Sequence, residues 1–409
     1  MTAREMNDWK TCPVANSFVK NKVGRRNQIP AKDIAPVGRF PVVDQGQQFV
    51  SGYCDDADRV IDFDLPLIIF GDHTRCLKYV DFPFILGADG TKVILPDKKI
   101  YDPKFYYYAL VALELPSRGY NRHFKSLVER SIPLPPLPEQ KKIAHILSTV
   151  QRAIEEQERI IQTTTELKKA LMQKLFTNGL CNEPQKQTEI GLIPDRWEIV
   201  ELGAYFQIKH GFAFDGKFFG SSGDFILMTP GNFHEEGGFR HRGDRTKYYT
   251  GEVPKEYILS KDDLVIAMTE QTSGLLGSAA FVPESGLYLH NQRLGLITDL
   301  DAGHLSKRFL FAVFNHPHLR EEVAKTSTGS KVKHTSPTKL RAVKVALPPT
   351  LKEQEEIAEA LATTDRKVAT AEAKKNQFQD LFRTLLHELM TAKTRVHEIE
   401  FSTQHQGAA

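Results

Sequence analysis

The sequence has little of what usually announces chemistry. Cysteine is scarce, with four in 409 residues. Cys12, Cys54, Cys76 and Cys181 lie far apart with no C-x-x-C pair, so neither a disulfide framework nor a zinc ribbon is expected. His73 and Cys76 form an isolated H-x-x-C and read as a buried thiol near a strand. No apolar run approaches the ~18 residues that cross a bilayer. Residues 1–10 are polar with no signal-peptide core, so the expectation is a cytoplasmic chain with no membrane association. Neither sign of charge is in excess: 54 basic and 51 acidic residues leave +3. That excludes a uniformly basic chain but permits local basic faces. No G-x-x-x-x-G-K-[ST], G-x-S-x-G or G-x-G-x-x-G occurs. Asp102-Pro103-Lys104-Phe105 lacks the second proline of an amino-methyltransferase loop, and no glycine-rich cofactor loop precedes it. Pro194-Asp195 with Glu198 lacks a nuclease lysine and the right spacing. The expectation is no catalytic residue, no metal site and no cofactor on this chain.

What is present is a repeat. The length allows two to four domains, and 41% hydrophobic with 26% charged residues is ordinary for a globular protein. Leu134-Pro135-Pro136-Leu137-Pro138-Glu139-Gln140 is echoed by Leu347-Pro348-Pro349-Thr350-Leu351-Lys352-Glu353-Gln354, which holds one more residue between Pro-Pro and Glu-Gln. From Glu-Gln onward the register holds without a gap. Ile143, Ala144, Leu147, Ile154, Glu158, Leu167, Leu171, Leu175 and Thr177 stand 214 residues before Ile357, Ala358, Leu361, Val368, Glu372, Leu381, Leu385, Leu389 and Thr391. The period is far longer than a solenoid unit, so half a molecule is duplicated.

Each copy reads as a long helix. Ile143, Leu147, Val150, Ile154, Gln157, Ile161, Thr164, Lys168, Leu171 and Leu175 follow strict 4-3 spacing. So do Ile357, Leu361, Thr364, Val368, Ala371, Lys375, Phe378, Phe382, Leu385 and Leu389. That is the seam of a coiled coil, and its polar members can fix register and orientation. Pro138 suits a first helical turn, Thr350 with Glu353 makes a capping box, and Gly179 ends the first helix. Each Leu-Pro-Pro is a stiff extended lead-in. The stretches before the helices carry short β-type runs, at 64–70, 78–85, 92–95, 225–229, 264–268 and 287–298, with helices at 102–113 and 305–326. The resulting division is 1–133, a helical spacer 134–180, 181–346, a second spacer 347–393 and a polar tail 394–409.

Polar clusters occupy corresponding places in both halves. Arg118, Tyr120, Asn121 and Arg122 lie ahead of the first lead-in; Lys331, Lys333 and His334 lie ahead of the second. Arg240, Arg242 and Arg245 add a basic stretch. Gln47 and Gln48, His73 and Arg75, and Gln271, Thr272 and Ser273 sit in loops beside predicted strands. Arg and Lys neutralise phosphates, and Arg, Asn and Gln can read base edges.

With these features the chain resembles a specificity subunit of a type I restriction–modification system, over nearly its whole length. The paired lead-ins with Glu139-Gln140 and Glu353-Gln354, and the helix after each, carry the resemblance. The run 68–75 followed by Phe82-Pro83-Phe84, and Ile193-Pro194-Asp195-Arg196-Trp197, add to it; Asp8-Trp9-Lys10 is a truncated form of the latter. The resemblance implies an α+β fold with two mixed α/β target-recognition domains. They are separated by two long helices that form an antiparallel coiled coil with a pseudo-two-fold. It implies a non-catalytic subunit whose domains each read half of a split double-stranded DNA site. The partners implied are two methyltransferase subunits that bind S-adenosylmethionine and methylate adenine, and motor-nuclease subunits that use ATP and magnesium. A methyltransferase or nuclease with degenerate motifs, and a coiled-coil scaffold that ignores nucleic acid, are the competing readings.

Overall fold

The computed structural model describes residues 9–88, 90–116, 121–271 and 274–396. The chain divides into two compact units, Met1–Arg159 with Ala371–Ala409, and Ile160–Thr370. Both junctions fall inside a long helix, Leu137–Asn178 or Leu351–Met390. Each junction thus lies inside a segment read from the sequence as a helical spacer. Each unit takes one globular domain and a half of each helix, because the buried helix faces share a core with that domain.

In the first unit, an antiparallel sheet has the order Phe18–Val19, Thr91–Pro96, Leu67–Gly71, Leu77–Val80. Leu67–Gly71 is buried at every residue, as a central strand without alternation should be. A smaller mixed sheet holds Gln28–Ile29, Ile85–Gly87, Phe40–Val43 and Gly52–Cys54. The run 78–85 thus feeds two sheets. The helix Pro103–Val111 starts at Asp102, whose carboxylate accepts from the backbone N–H groups of Lys104 and Phe105. Lys10–Pro13 pairs with Ser131–Leu134, which keeps the first lead-in extended.

The second unit repeats this plan. Its main antiparallel sheet has the order Gln207–His210, Leu294–Thr298, Leu264–Ala267, Ala279–Phe281, and the smaller sheet is built around Phe225–Met228 and Tyr288–His290. Glu198–Glu201 pairs with the lead-in strand Lys344–Leu347. The run 287–298 is two strands, and the helix expected over 305–326 is two, Lys307–Phe314 and Pro317–Lys325. Pro317 forces the break: it disfavours helical backbone at His316, which is extended at ψ 134°.

Within each unit the two long helices run in opposite directions. In the second, Lys168 bonds Asp365 at 2.5 Å, while Leu175 shares a core with Ile357 and Leu361. In the first, Ile143 and Leu147 share a core with Leu389, and Tyr108 meets Phe382 edge-on at 5.8 Å. Every one of the twenty seam positions is buried or half-buried. Ile143, Leu147, Ile154, Leu175, Ile357, Leu361 and Leu389 are buried, and Leu171, Val368, Phe378 and Leu385 are half-buried. Lys168, a cation on an apolar seam, is matched by Asp365; the equivalent position of the second helix holds Phe382, which packs on Tyr108 instead.

The repeated Glu-Gln pair joins each domain to its helix. The Gln140 side chain accepts from the Asp102 N–H and donates to the carbonyls of Ile100 and Pro135. Gln354 accepts from the Ser306 N–H and donates to His304 and Pro348. Each buried amide thus fixes a lead-in and the start of a domain helix, since Asp102 and Ser306 are both N-caps. Glu139 accepts from the Trp9 indole at 3.2 Å, and Glu353 from the Trp197 indole at 3.1 Å. Trp9 therefore does what Trp197 does, although Asp8 lies outside the described residues. The capping box expected at Thr350 is half realised: Thr350 accepts from the Glu353 N–H, but the Glu353 carboxylate goes to Trp197.

The tail expected to be merely polar also takes part. Arg395 grips Glu139 through two bonds, at 2.8 and 3.0 Å, and lies over the Trp9 ring at 5.3 Å. Val396 is buried beside it. In the second unit the matching cation is Arg196, 3.5 Å from Glu353 and paired with Glu183. Burial pushes the Glu139 carboxyl up, but the bonds from Arg395 and Trp9 outweigh it and leave its pKa below the ordinary value.

Two outcomes follow. Ile154→Ala should cost ~2–5 kcal/mol through the cavity it leaves, and Val368→Ala, at a half-buried site, less; equal losses in thermal melting would contradict the seam. Glu139→Gln should cost ~1–3 kcal/mol at neutral pH, because it removes the charge that accepts from a half-buried guanidinium and an indole N–H. Between the ordinary carboxylate pKa and the depressed folded value, the unfolded chain binds a proton that the folded chain refuses. Native stability therefore falls as pH drops through that window, and melting scans of Glu139→Gln should lose that part of the acid sensitivity.

Candidate nucleic-acid interface

In the first unit, three connections gather at the Gly71 end of the central strand. The loop 44–49 is tied to the turn 72–76 by the Thr74 hydroxyl, which donates to the Gln45 carbonyl at 2.5 Å. The His73 N–H donates to the Gln45 side chain. The third connection arrives through His123, whose N–H donates to the Asp72 carbonyl at 2.8 Å, while the Asp72 carboxylate accepts from the Phe124 N–H. Gly90 comes close enough that a Cβ there would meet both Gln45 and His73 at 2.7 Å. Arg75 has left-handed backbone, φ 63°, and donates to the Leu115 carbonyl.

This brings Gln47, Gln48, His73, Arg75, Asn121 and Arg122 to one end of one sheet. Gln47, Gln48, Asn121 and Arg122 are exposed, and His73 and Arg75 half-buried. Arg118 and Tyr120 lie outside the described residues.

The second unit builds the corresponding place differently. Thr269–Glu270 pairs with Lys333–His334, so Gln271 emerges beside Lys331, Lys333 and His334. Glu270 is buried and accepts from the N–H groups of Gly274, Leu275 and Leu276, while Lys333 lies 3.9 Å from its carboxylate. Thr272 and Ser273 lie outside the described residues. Arg240, Arg242 and Arg245 have other neighbours. The Arg240 N–H donates to Asn232, and Arg242 lies against Thr229 and Gly231. Arg245 precedes the strand Tyr248–Tyr249 of the smaller sheet. The structure thus joins Gln271 with 331–334 and gives the three arginines a separate strip.

Exposed amides, cations and a histidine on backbone-anchored loops suit DNA: the cations meet phosphates, and Gln and Asn present paired donors and acceptors to base edges. Sequence reading placed Gln45 and Glu270 in polar loops without seeing that they hold them, and missed Lys78 and Arg320 as anchors. Their signal is faint, a lone charge inside or beside an apolar run, as at Leu77-Lys78-Tyr79-Val80. Among the described residues no group of His, Cys, Asp and Glu is arranged to hold a metal ion, and no helix is long and apolar enough to cross a membrane.

Residues 16–164 and 194–379 match the family described as type I restriction modification DNA specificity domain. Among curated relatives, the type I restriction enzyme MjaVIII specificity subunit of Methanocaldococcus jannaschii is 29% identical over 337 residues, which is 77% of each chain. The putative MjaX specificity subunit of the same organism is 26% identical over 326 residues, 76% of this chain and 73% of that one. The crystal structure of an S subunit from M. genitalium is 17% identical and shares the fold, with a TM-score of 0.65 over 95% of this chain and 98% of that one. With the matched domain occurring once in each half, the chain belongs to the family of type I restriction–modification DNA specificity proteins.

Proposed function

We propose that this chain is the component that reads a two-part DNA site and presents it to separate catalytic subunits. The observation that carries the reading is the pairing of sameness and difference. Both units share one plan, and each pairs a part of both long helices, yet the loops at the reading end differ in sequence and in build. Each domain then reads its own half of an asymmetric site, and the gap between the halves needs no base contact. The chain itself is a recognition component and not the catalyst. Methylation of adenine, with S-adenosylmethionine, belongs to methyltransferase subunits. Translocation and cleavage, with ATP and magnesium, belong to motor-nuclease subunits, all in the cytoplasm.

The helices also support two equivalent docking places for the methyltransferase. Leu167 and Leu381 occupy the same place in the repeat, off the seam, and are 57% and 44% exposed. Glu166 and Lys169 flank the first; Asp380 and Arg383 flank the second. A duplicated helix drifts freely at exposed positions unless something covers them. Two copies of one patch suit two copies of one partner.

Mapping methylated adenines in cells that carry the chain and its methyltransferase tests the reading. A split site should appear, and exchange of residues 1–133 for a relative's domain should change one half only. Change in both halves, or methyl transfer by the isolated chain, would contradict it. Leu167→Ala and Leu381→Ala should each leave melting within ~0.5 kcal/mol of the parent. Each should lower the number of methyltransferase subunits that co-purify from two to one, and the double variant should lose both. Full assembly by the double variant would remove the leucines from the interface.

A further inference from the structure

We infer that each unit carries a cation bonded to loop carbonyls, the buried Lys78 in the first and the half-buried Arg320 in the second, that sets the backbone of the reading loops and so acts as a positioning residue for base specificity. This rests on the half-site reading above.

Lys78 is only 4% exposed, in the strand Leu77–Val80. A buried ammonium is costly unless its three donors are met. Here all three face one loop: the Asp44 carbonyl at 2.8 Å, the Gln48 carbonyl at 2.6 Å and the Asp44 carboxylate at 3.5 Å. Two of these partners are main-chain carbonyls that bracket the loop, so the cation fixes backbone and leaves side chains free. Gln47 and Gln48 point their exposure outward as a result. Phe49 follows them, 45% exposed, with its ring against Phe82. Without the ammonium the carbonyls of Asp44 and Gln48 would lose their donor, so the shape of the loop depends on it.

Arg320 reaches the same result from another element, the helix Pro317–Lys325. Its guanidinium donates to the carbonyls of Leu276 at 2.8 Å, Gly274 at 2.5 Å and Glu235 at 3.3 Å. Glu270 holds the N–H groups of 274–276 at 2.9–3.0 Å. The segment 274–276 is therefore gripped by a cation on its carbonyls and an anion on its amides. The hairpin at Glu235 is drawn to the same guanidinium. Burial lowers the pKa of Lys78 from its ordinary value, with Asp44 opposing the shift, and brings that of Arg320 to about 10.

A residue that only holds the fold lowers stability without altering which bases are chosen. A positioning residue moves its own loop, and with it one half of the site. The test uses the full chain with its methyltransferase subunit and the methylation level at every single-base variant of the mapped site. Lys78→Met should raise methylation at variants in one half roughly tenfold relative to the parent site, the worth of one misplaced base contact. The other half should stay as strict as in the parent. Arg320→Met should do the same to the opposite half, and Arg320→Lys, which keeps the charge and some donors but not the planar fork, should relax it less. If Lys78→Met does not fold, Lys78→Arg keeps the charge but offers a planar fork, and the same half should relax. Folded variants with unchanged profiles would overturn the inference, as would relaxation of both halves by either variant. A parent complex without a two-part site would overturn the half-site reading and this inference together.

Discussion

The bond between a buried glutamate and an indole, made once in each unit, is the constraint on which the rest hangs. Glu139 with Trp9 and Glu353 with Trp197 each close a loop of well over a hundred residues. Beside each, a glutamine amide satisfies the N–H of the residue that caps a domain helix and a carbonyl of the proline lead-in. Buried polar groups are expensive unless all are paired. Because these are paired across chain segments far apart in sequence, domain and helix can meet in only one pose. That is how a flat coiled-coil seam, which by itself allows sliding, comes to hold a sheet at a fixed attitude.

The same economy of polar groups separates framework from reading surface. Framework polar atoms are buried and bonded to other framework atoms, so they tolerate little change; the two units keep them nearly identical. At the proposed reading end the loops are held through their main chain, by Lys78, Arg320 and Glu270. Main-chain anchoring leaves side chains such as Gln47, Gln48 and Gln271 exposed and interchangeable. A protein whose sites must diversify while its partners stay constant is well served by that division.

Much of the frame was legible in the sequence because it is periodic or punctuated. The 4-3 spacing located both helices and their buried faces, and Gly179, with φ 66°, ended the first. Pro-Pro marked the extended lead-ins. The apolar runs located strands but not their sheets: 78–85 and 287–298 each divide between two, since no local signal says where a buried run changes partner. The roles of Trp9 and Arg395 were hidden for a different reason. In the second unit Arg196 and Trp197 are adjacent, whereas in the first the same two roles are taken from near opposite ends of the chain. For the candidate loops, residue type suggested Gln47, Gln48, His73, Asn121 and Arg122, which the fold gathers at one end. It could not separate them from Arg240, Arg242 and Arg245, because charge clusters look alike until the sheet that carries them is known.

The central claim is that the helices space two independent readers, and it can be tested by changing their length alone. One heptad inserted after Arg159 and one after Thr370, where the chain passes between units, preserves the seam and adds ~10.5 Å to each helix. Adenine methylation mapping of the assembled complex should then return the same two half-sequences with the gap between them longer by about three base pairs, at ~3.4 Å per pair. Altered half-sequences, or an unchanged gap in a complex that still methylates, would contradict the account.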